Sequence, residues 1–124
     1  MSALRAWAGG ASDRSTLATA VRWSLQALAE RAPGKSVEVR VPPFGAVQCV
    51  EGPRHTRGTP PNVIELDAQT WLPLATGMRS WSEAVDAGAV RASGTRADLA
   101  HLLPVVRIAA NPSAGGPERA DAGQ

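Results

Sequence analysis

The chain has 124 residues, 44% of them hydrophobic, with 10 Pro and 12 Gly, which fits one turn-rich globular domain with a modest core. Thirteen basic residues, all Arg except Lys35, face 11 acidic ones for a net charge of +2, too even a balance to argue for nucleic acid. No apolar run approaches the roughly 18 residues of a membrane span, and no apolar leader follows Met1.

Residues 1–12 are rich in Ala and Gly and are expected to form a flexible arm or a short helical turn, because Gly9-Gly10 breaks any helix begun at Leu4. Ser12 or Asp13 then caps a helix reaching about Arg31, with Leu17, Val21, Leu25 and Leu28 as its apolar stripe. Trp23 falls on another face and is expected to pack within the monomer. Pro33-Gly34 ends the helix.

Val37, Val39 and Val41 alternate with Glu38 and Arg40, the pattern of a half-buried strand that Pro42-Pro43 terminates. A second strand over 45–50 has apolar residues on both faces, which suggests a central position. A polar loop over 51–62 and a third strand over 63–66 follow. Asp67 caps a helix over 68–76, with Gly77 in the left-handed position after it and Pro73 shortening or kinking it. Ser80-Trp81-Ser82-Glu83 has the form of a capping box, and Gly88 closes that helix. Residues 89–93 read as a fourth strand. Thr95 to Asp98 opens a last helix that buries Leu99, Leu102 and Leu103 and stops at Pro104. Residues 105–108 are either a terminal strand or a packing strap, and residues 110–124 are expected to be a disordered tail. The strands at 36–41 and 45–50 suit an antiparallel hairpin; the helical crossover before the fourth strand suits parallel pairing. The expected domain spans residues 13–109 and is α+β, a sheet covered on one face by helices.

Catalytic patterns are missing. His55 and His101 have no ligand-spaced partners, and the carboxylates of Asp67 and Asp98 are spoken for as caps. Cys49 lies mid-strand, where a buried apolar cysteine is the ordinary interpretation; as the only cysteine it forms no internal disulfide and points to a reducing cytoplasm. No nucleophile elbow, phosphate loop or dinucleotide fingerprint occurs. An enzyme is therefore not expected, nor a cofactor or metal. Two features remain. The loop Pro53 to Pro61 carries Arg54, His55 and Arg57, which suit a carboxylate or phosphate, or else simply a solvated turn. The apolar residues Trp71, Leu74, Met78, Trp81, Val85, Leu99 and Leu103 either pack a core or line a cavity for an apolar ligand.

The order of these features resembles the sterol carrier protein type 2 superfamily. The residues carrying the likeness are Val63-Ile64-Glu65-Leu66-Asp67 leading to Trp71, Leu74-Ala75-Thr76-Gly77, Trp81-Ser82-Glu83-Ala84, and Val90 to Gly94 leading to Leu102-Leu103. The segment from Val39 to Asn62 looks like that of a small actinobacterial branch of bacterial sterol-carrier orthologues. The resemblance implies a four- to five-stranded, mostly antiparallel sheet with about four helices. It also implies non-catalytic binding of a fatty-acyl, phospholipid or sterol-like ligand between sheet and helices; on a carrier reading the loop residues Arg54, His55 and Arg57 would hold an anionic head group. Neither nucleic acid nor stable membrane insertion is expected; a homodimer or a protein partner fits a second reading. In that reading the core is dry, and the loop Pro53 to Asn62, with Phe44, forms an interaction or anion-binding surface.

Overall fold

Hydrogen bonds supplied by local side chains set the N-termini of three helices. The computed structural model describes residues 1–52 and 62–108. Helix α1 spans Ser2–Ala8 and α2 spans Arg14–Arg31. Strands β1 (Val37–Val41) and β2 (Gly45–Cys49) are followed, past the loop, by β3 (Asn62–Glu65). Helices α3 (Ala68–Thr76) and α4 (Trp81–Asp86) lead to β4 (Arg91–Ser93) and a single 3₁₀ turn over Ala100–Leu102.

Three of the four expected caps are in place; the one expected at Thr95 caps no helix. Asp13 accepts from the Thr16 hydroxyl at 2.8 Å and from its backbone N–H at 3.0 Å. Asp67 accepts from the Thr70 N–H at 2.8 Å. At α4 the box is reciprocal: Ser80 Oγ accepts from Glu83 N at 3.2 Å while Glu83 Oε1 accepts from Ser80 N at 2.9 Å. Gly77 adopts φ 84°, and the Met78 N–H turns back to the Pro73 carbonyl at 2.8 Å, so α3 stops there. Pro73 lies inside α3 without shortening it. The carbonyl it fails to bond is that of Gln69, which sits on the exposed side.

These caps carry a pH dependence. The Thr16 hydroxyl, then the Thr16 N–H, holds the Asp13 carboxyl below its ordinary range; the Ser80 N–H, then the Ser80 hydroxyl and the Arg79 charge, does the same for Glu83. A depressed carboxyl stabilises the fold fully above its unfolded-state pKa, and that contribution is lost as pH falls through the folded value. The urea midpoint is therefore expected to be flat near neutrality and to decline as pH drops below about 4.5. Asp13→Asn and Glu83→Gln should each reduce that slope in equilibrium unfolding.

The sheet order is β2-β1-β3-β4. Strands β1 and β2 form the expected antiparallel hairpin, with Val39 opposite Val47. The parallel pair is β1 with β3, and β4 runs antiparallel to β3 with Arg91 opposite Glu65. The expected parallel pairing of the third and fourth strands is thus corrected. Two helices, not one, separate these strands, so the chain returns to the end at which β3 stopped. Strand β2 is an edge strand and not a central one. Its apparent second apolar face dissolves because Val50 leaves the strand at φ 66°, while Ala46 and Gln48 are exposed.

Helices cover one face of this sheet. Val37, Val39, Val41, Cys49 and Ile64 point into a core shared with Val21, Leu25 and Leu28 of α2 and with Trp71, Leu72 and Leu74 of α3. Burial pushes the Cys49 thiol up to about 11, so it stays protonated at neutral pH. The outer face carries Glu38, Arg40, Glu65 and Arg91, with an Arg40–Glu38 pair at 3.0 Å. The result is an α+β domain with a four-stranded mixed sheet and four α-helices among the described residues. Two of its three strand pairings are antiparallel.

Three further expectations change. The presumed arm over 1–12 contains α1, which buries Leu4 completely against the core, so its apolar residues suffice to dock it despite Gly9-Gly10. Trp23 stays 37% exposed on α2. The last helix is reduced to the 3₁₀ turn: the Arg96 N–H goes to Asn62 Oδ1 at 2.8 Å, Gly94 holds φ 102°, and only one turn fits before Pro104. Asp98 accepts from the Ala100 N–H at 2.8 Å, but the turn's N-cap position is Leu99, which makes no side-chain cap bond. Residues 105–108 form a strap, tied by the Val105 and Val106 N–H groups to the Ala75 carbonyl at 2.9 and 3.2 Å. The expected tail over 110–124 lies outside the described residues.

Candidate functional site

The seven apolar candidates divide between two environments. Trp71, Leu74 and Leu99 are fully buried in the core. Trp71 Nε1 donates to Ser24 Oγ at 2.8 Å, and that hydroxyl in turn donates to the Ala20 carbonyl at 2.8 Å, so α2 and α3 are joined through a satisfied buried polar pair. This is core packing. Neither Trp71 nor Leu99 lines the cleft formed by α3, α4 and the strap.

That cleft, of about 470 Å³, lies on the outer side of the helical layer, open to solvent. Its walls are the C-terminal end of α3 with Gly77 and Met78, the first turn of α4 from Ser80 to Glu83, Ala100 of the 3₁₀ turn, Leu103 and Pro104 just after that turn, and Arg107 of the strap. Leu74 reaches it from the core side. Four of the seven candidates, Leu74, Met78, Trp81 and Leu103, therefore meet at one site, while Trp71, Val85 and Leu99 do not line it. Val85 is 45% exposed, and Met78 at the cleft is equally so. Trp81 and Leu103 are half-buried.

Local chemistry explains why the cleft persists. The left-handed turn at Gly77 separates α3 from α4, and the Ser80–Glu83 box fixes where α4 starts. The strap is held at α3 by its bonds to Ala75 and cannot collapse onto α4 without breaking them. Sequence reasoning missed Arg79, Ala100, Pro104 and Arg107. No local signal marks them, since each owes its place to the approach of the strap to α3.

Of the other candidates, Arg54, His55 and Arg57 lie outside the described residues. His101 is exposed. Phe44, assigned to a surface in the interaction reading, is half-buried: the Arg22 side chain donates to its carbonyl at 3.0 Å and Arg14 stacks over its ring at 5.4 Å. Among the described residues no group of three or more His, Cys, Asp or Glu could hold a metal, and no helix is long and apolar enough to cross a membrane.

No curated protein matches the chain. A family model described as "Bacterial SCP ortholog" matches residues 13–105, which takes in α2, the whole sheet, both later helices and the start of the strap. Its span begins at the cap of α2 and includes all of the cleft except Arg107. The chain belongs to the bacterial SCP ortholog family, which is SCP2-like.

Proposed function

We propose that this protein is a non-enzymatic, cytoplasmic lipid-binding domain that holds one fatty-acyl, phospholipid or sterol-like molecule in the cleft between α3, α4 and the strap. The observation carrying this reading is the cleft itself. Its volume falls within the range of small-molecule sites, and Met78, Trp81, Leu103 and Pro104 supply an apolar surface at its walls. Family membership supports the ligand class. The packed interior between sheet and helices moves the proposed ligand from inside the domain to the outer side of its helices.

Filling the cleft tests this directly. Ala100 is an exposed residue of the cleft wall, so Ala100→Trp adds bulk there without disturbing the core. It should weaken binding of a fatty acid to delipidated protein by about tenfold or more, as read by native mass spectrometry, with an unchanged urea midpoint. Unchanged affinity in this variant would place the ligand elsewhere.

The extensive burial of the core residues also suits a second reading, an interaction or anion-binding module that uses the Pro53 to Asn62 loop. Native mass spectrometry of protein purified without detergent separates the two. Bound lipid on a monomer supports the carrier, whereas a lipid-free oligomer or a co-purified protein supports the module.

A further inference from the structure

Two guanidiniums lie in the wall of the cleft, which also holds the apolar Met78, Trp81 and Leu103 and the polar Ser80, Ser82 and Glu83. Arg79 is half-buried in its wall, in the short link between Gly77 and Ser80. Arg107 arrives from the strap and lies against Gly77, where an added Cβ would sit 3.1 Å from its Nη1. The glycine thus serves two ends: it permits φ 84° at the end of α3 and lets this cation approach. Among the described residues neither guanidinium makes a hydrogen bond or an ion pair, whereas Arg22, Arg40 and Arg91 have the Phe44 carbonyl, Glu38 and Glu65 as partners. One acid, Glu83, shares the cleft; its Oε1 accepts from the Ser80 N–H in the capping box, and the nearby Arg79 charge helps to keep it ionised. Two cations and one anion leave the cleft with one positive charge to balance.

We propose that Arg79 and Arg107 form a head-group site for a single anionic amphiphile, a carboxylate or a phosphate ester, whose alkyl chain lies against Met78, Trp81 and Leu103. The proposal rests on the lipid-binding reading above and narrows it from lipids in general to anionic ones. Guanidiniums suit both head groups because their paired N–H donors match two oxygens of either anion. A neutral sterol or alcohol would leave both cations unpaired beside its hydroxyl, so it should bind by its apolar surface alone.

The test uses the full, delipidated chain and four probes below their aggregation concentrations: dodecanoate, dodecyl phosphate, dodecanol and inorganic phosphate. Affinity is read by titration calorimetry. Dodecanoate and dodecyl phosphate should bind at least about tenfold more tightly than dodecanol, the low end for charge-assisted hydrogen bonds at a partly exposed site. In the Arg79→Gln/Arg107→Gln double variant, with its fold checked by circular dichroism, that advantage should vanish while dodecanol affinity stays within about twofold. Inorganic phosphate should bind far more weakly than dodecyl phosphate. Equal affinity for dodecanoate and dodecanol in the unaltered protein would overturn the head-group site and leave the lipid-binding reading standing. Inorganic phosphate binding as tightly as dodecyl phosphate would make this a plain anion site and overturn the amphiphile. Failure of every alkyl probe to bind would remove the lipid-binding reading and the head-group site together.

Discussion

Trp71→Ala is expected to destabilise the fold by about 3–5 kcal/mol in urea unfolding, since it removes a fully buried large side chain and leaves a cavity. For a small domain worth about 5–15 kcal/mol in total, that leaves little reserve. Two losses combine. The indole is a fully buried part of the core cluster, and its N–H ends on Ser24 Oγ. Trp71→Phe separates them, keeping most of the apolar volume but not the hydrogen bond. Ser24 still donates to the Ala20 carbonyl, so its hydroxyl is not stranded, and a loss of only about 1–2 kcal/mol is expected. The same variant distinguishes core from cavity. A Trp71→Ala protein of nearly unaltered stability that no longer binds lipid would return Trp71 to a ligand site inside the domain.

Gly34→Ala should be comparably severe, at about 3 kcal/mol or more, for a backbone reason. Gly34 holds φ 150°, and a Cβ there would land on the Val50 carbonyl. That carbonyl accepts from the Ser36 N–H at 3.0 Å, and the Val50 N–H donates to the Ala32 carbonyl at 2.7 Å. The end of α2, the entry to β1 and the exit from β2 are thus bound together at one crossing. Val50 itself adopts φ 66°, unfavourable for a β-branched residue, so the crossing has little room to adjust. Gly88 provides the control. Its φ of 73° is also left-handed, yet nothing lies within 4 Å of an added Cβ. Gly88→Ala should therefore cost only the conformational part, about 1–2 kcal/mol. The difference between the two variants isolates the clash, and equal losses would show that Val50 can move aside.

The cleft variants ask a separate question. Ala100→Trp and the arginine pair act on the outer side of the helices, at exposed or half-buried residues, whereas Trp71 and Gly34 act on the packing beneath. Binding and stability should consequently vary independently between the cleft variants on one side and the Trp71 and Gly34 variants on the other.

Local interactions made much of this protein legible in its sequence. Asp13, Asp67, the Ser80–Glu83 box and Gly77 each act within about four residues of themselves, so their roles follow from spacing alone. The alternation from Val37 to Val41 likewise reports one buried face whichever strands lie beside it. An ordered set of such signals was enough to indicate the α+β class and the family. Strand order, the parallel pairing of β1 with β3, and the edge position of β2 depend on contacts between segments far apart in the chain, and alternation within a strand does not encode its neighbour. Trp71 and Trp81 show the same limit. Both follow a helix cap closely, yet one meets Ser24 of α2 and is sealed in the core while the other faces the strap across open space. The last step belonged to residues 104–107. By bonding to Ala75 instead of adding a strand to the sheet, they left the interior closed and carried Arg107 to the rim of a cleft that only the tertiary structure contains.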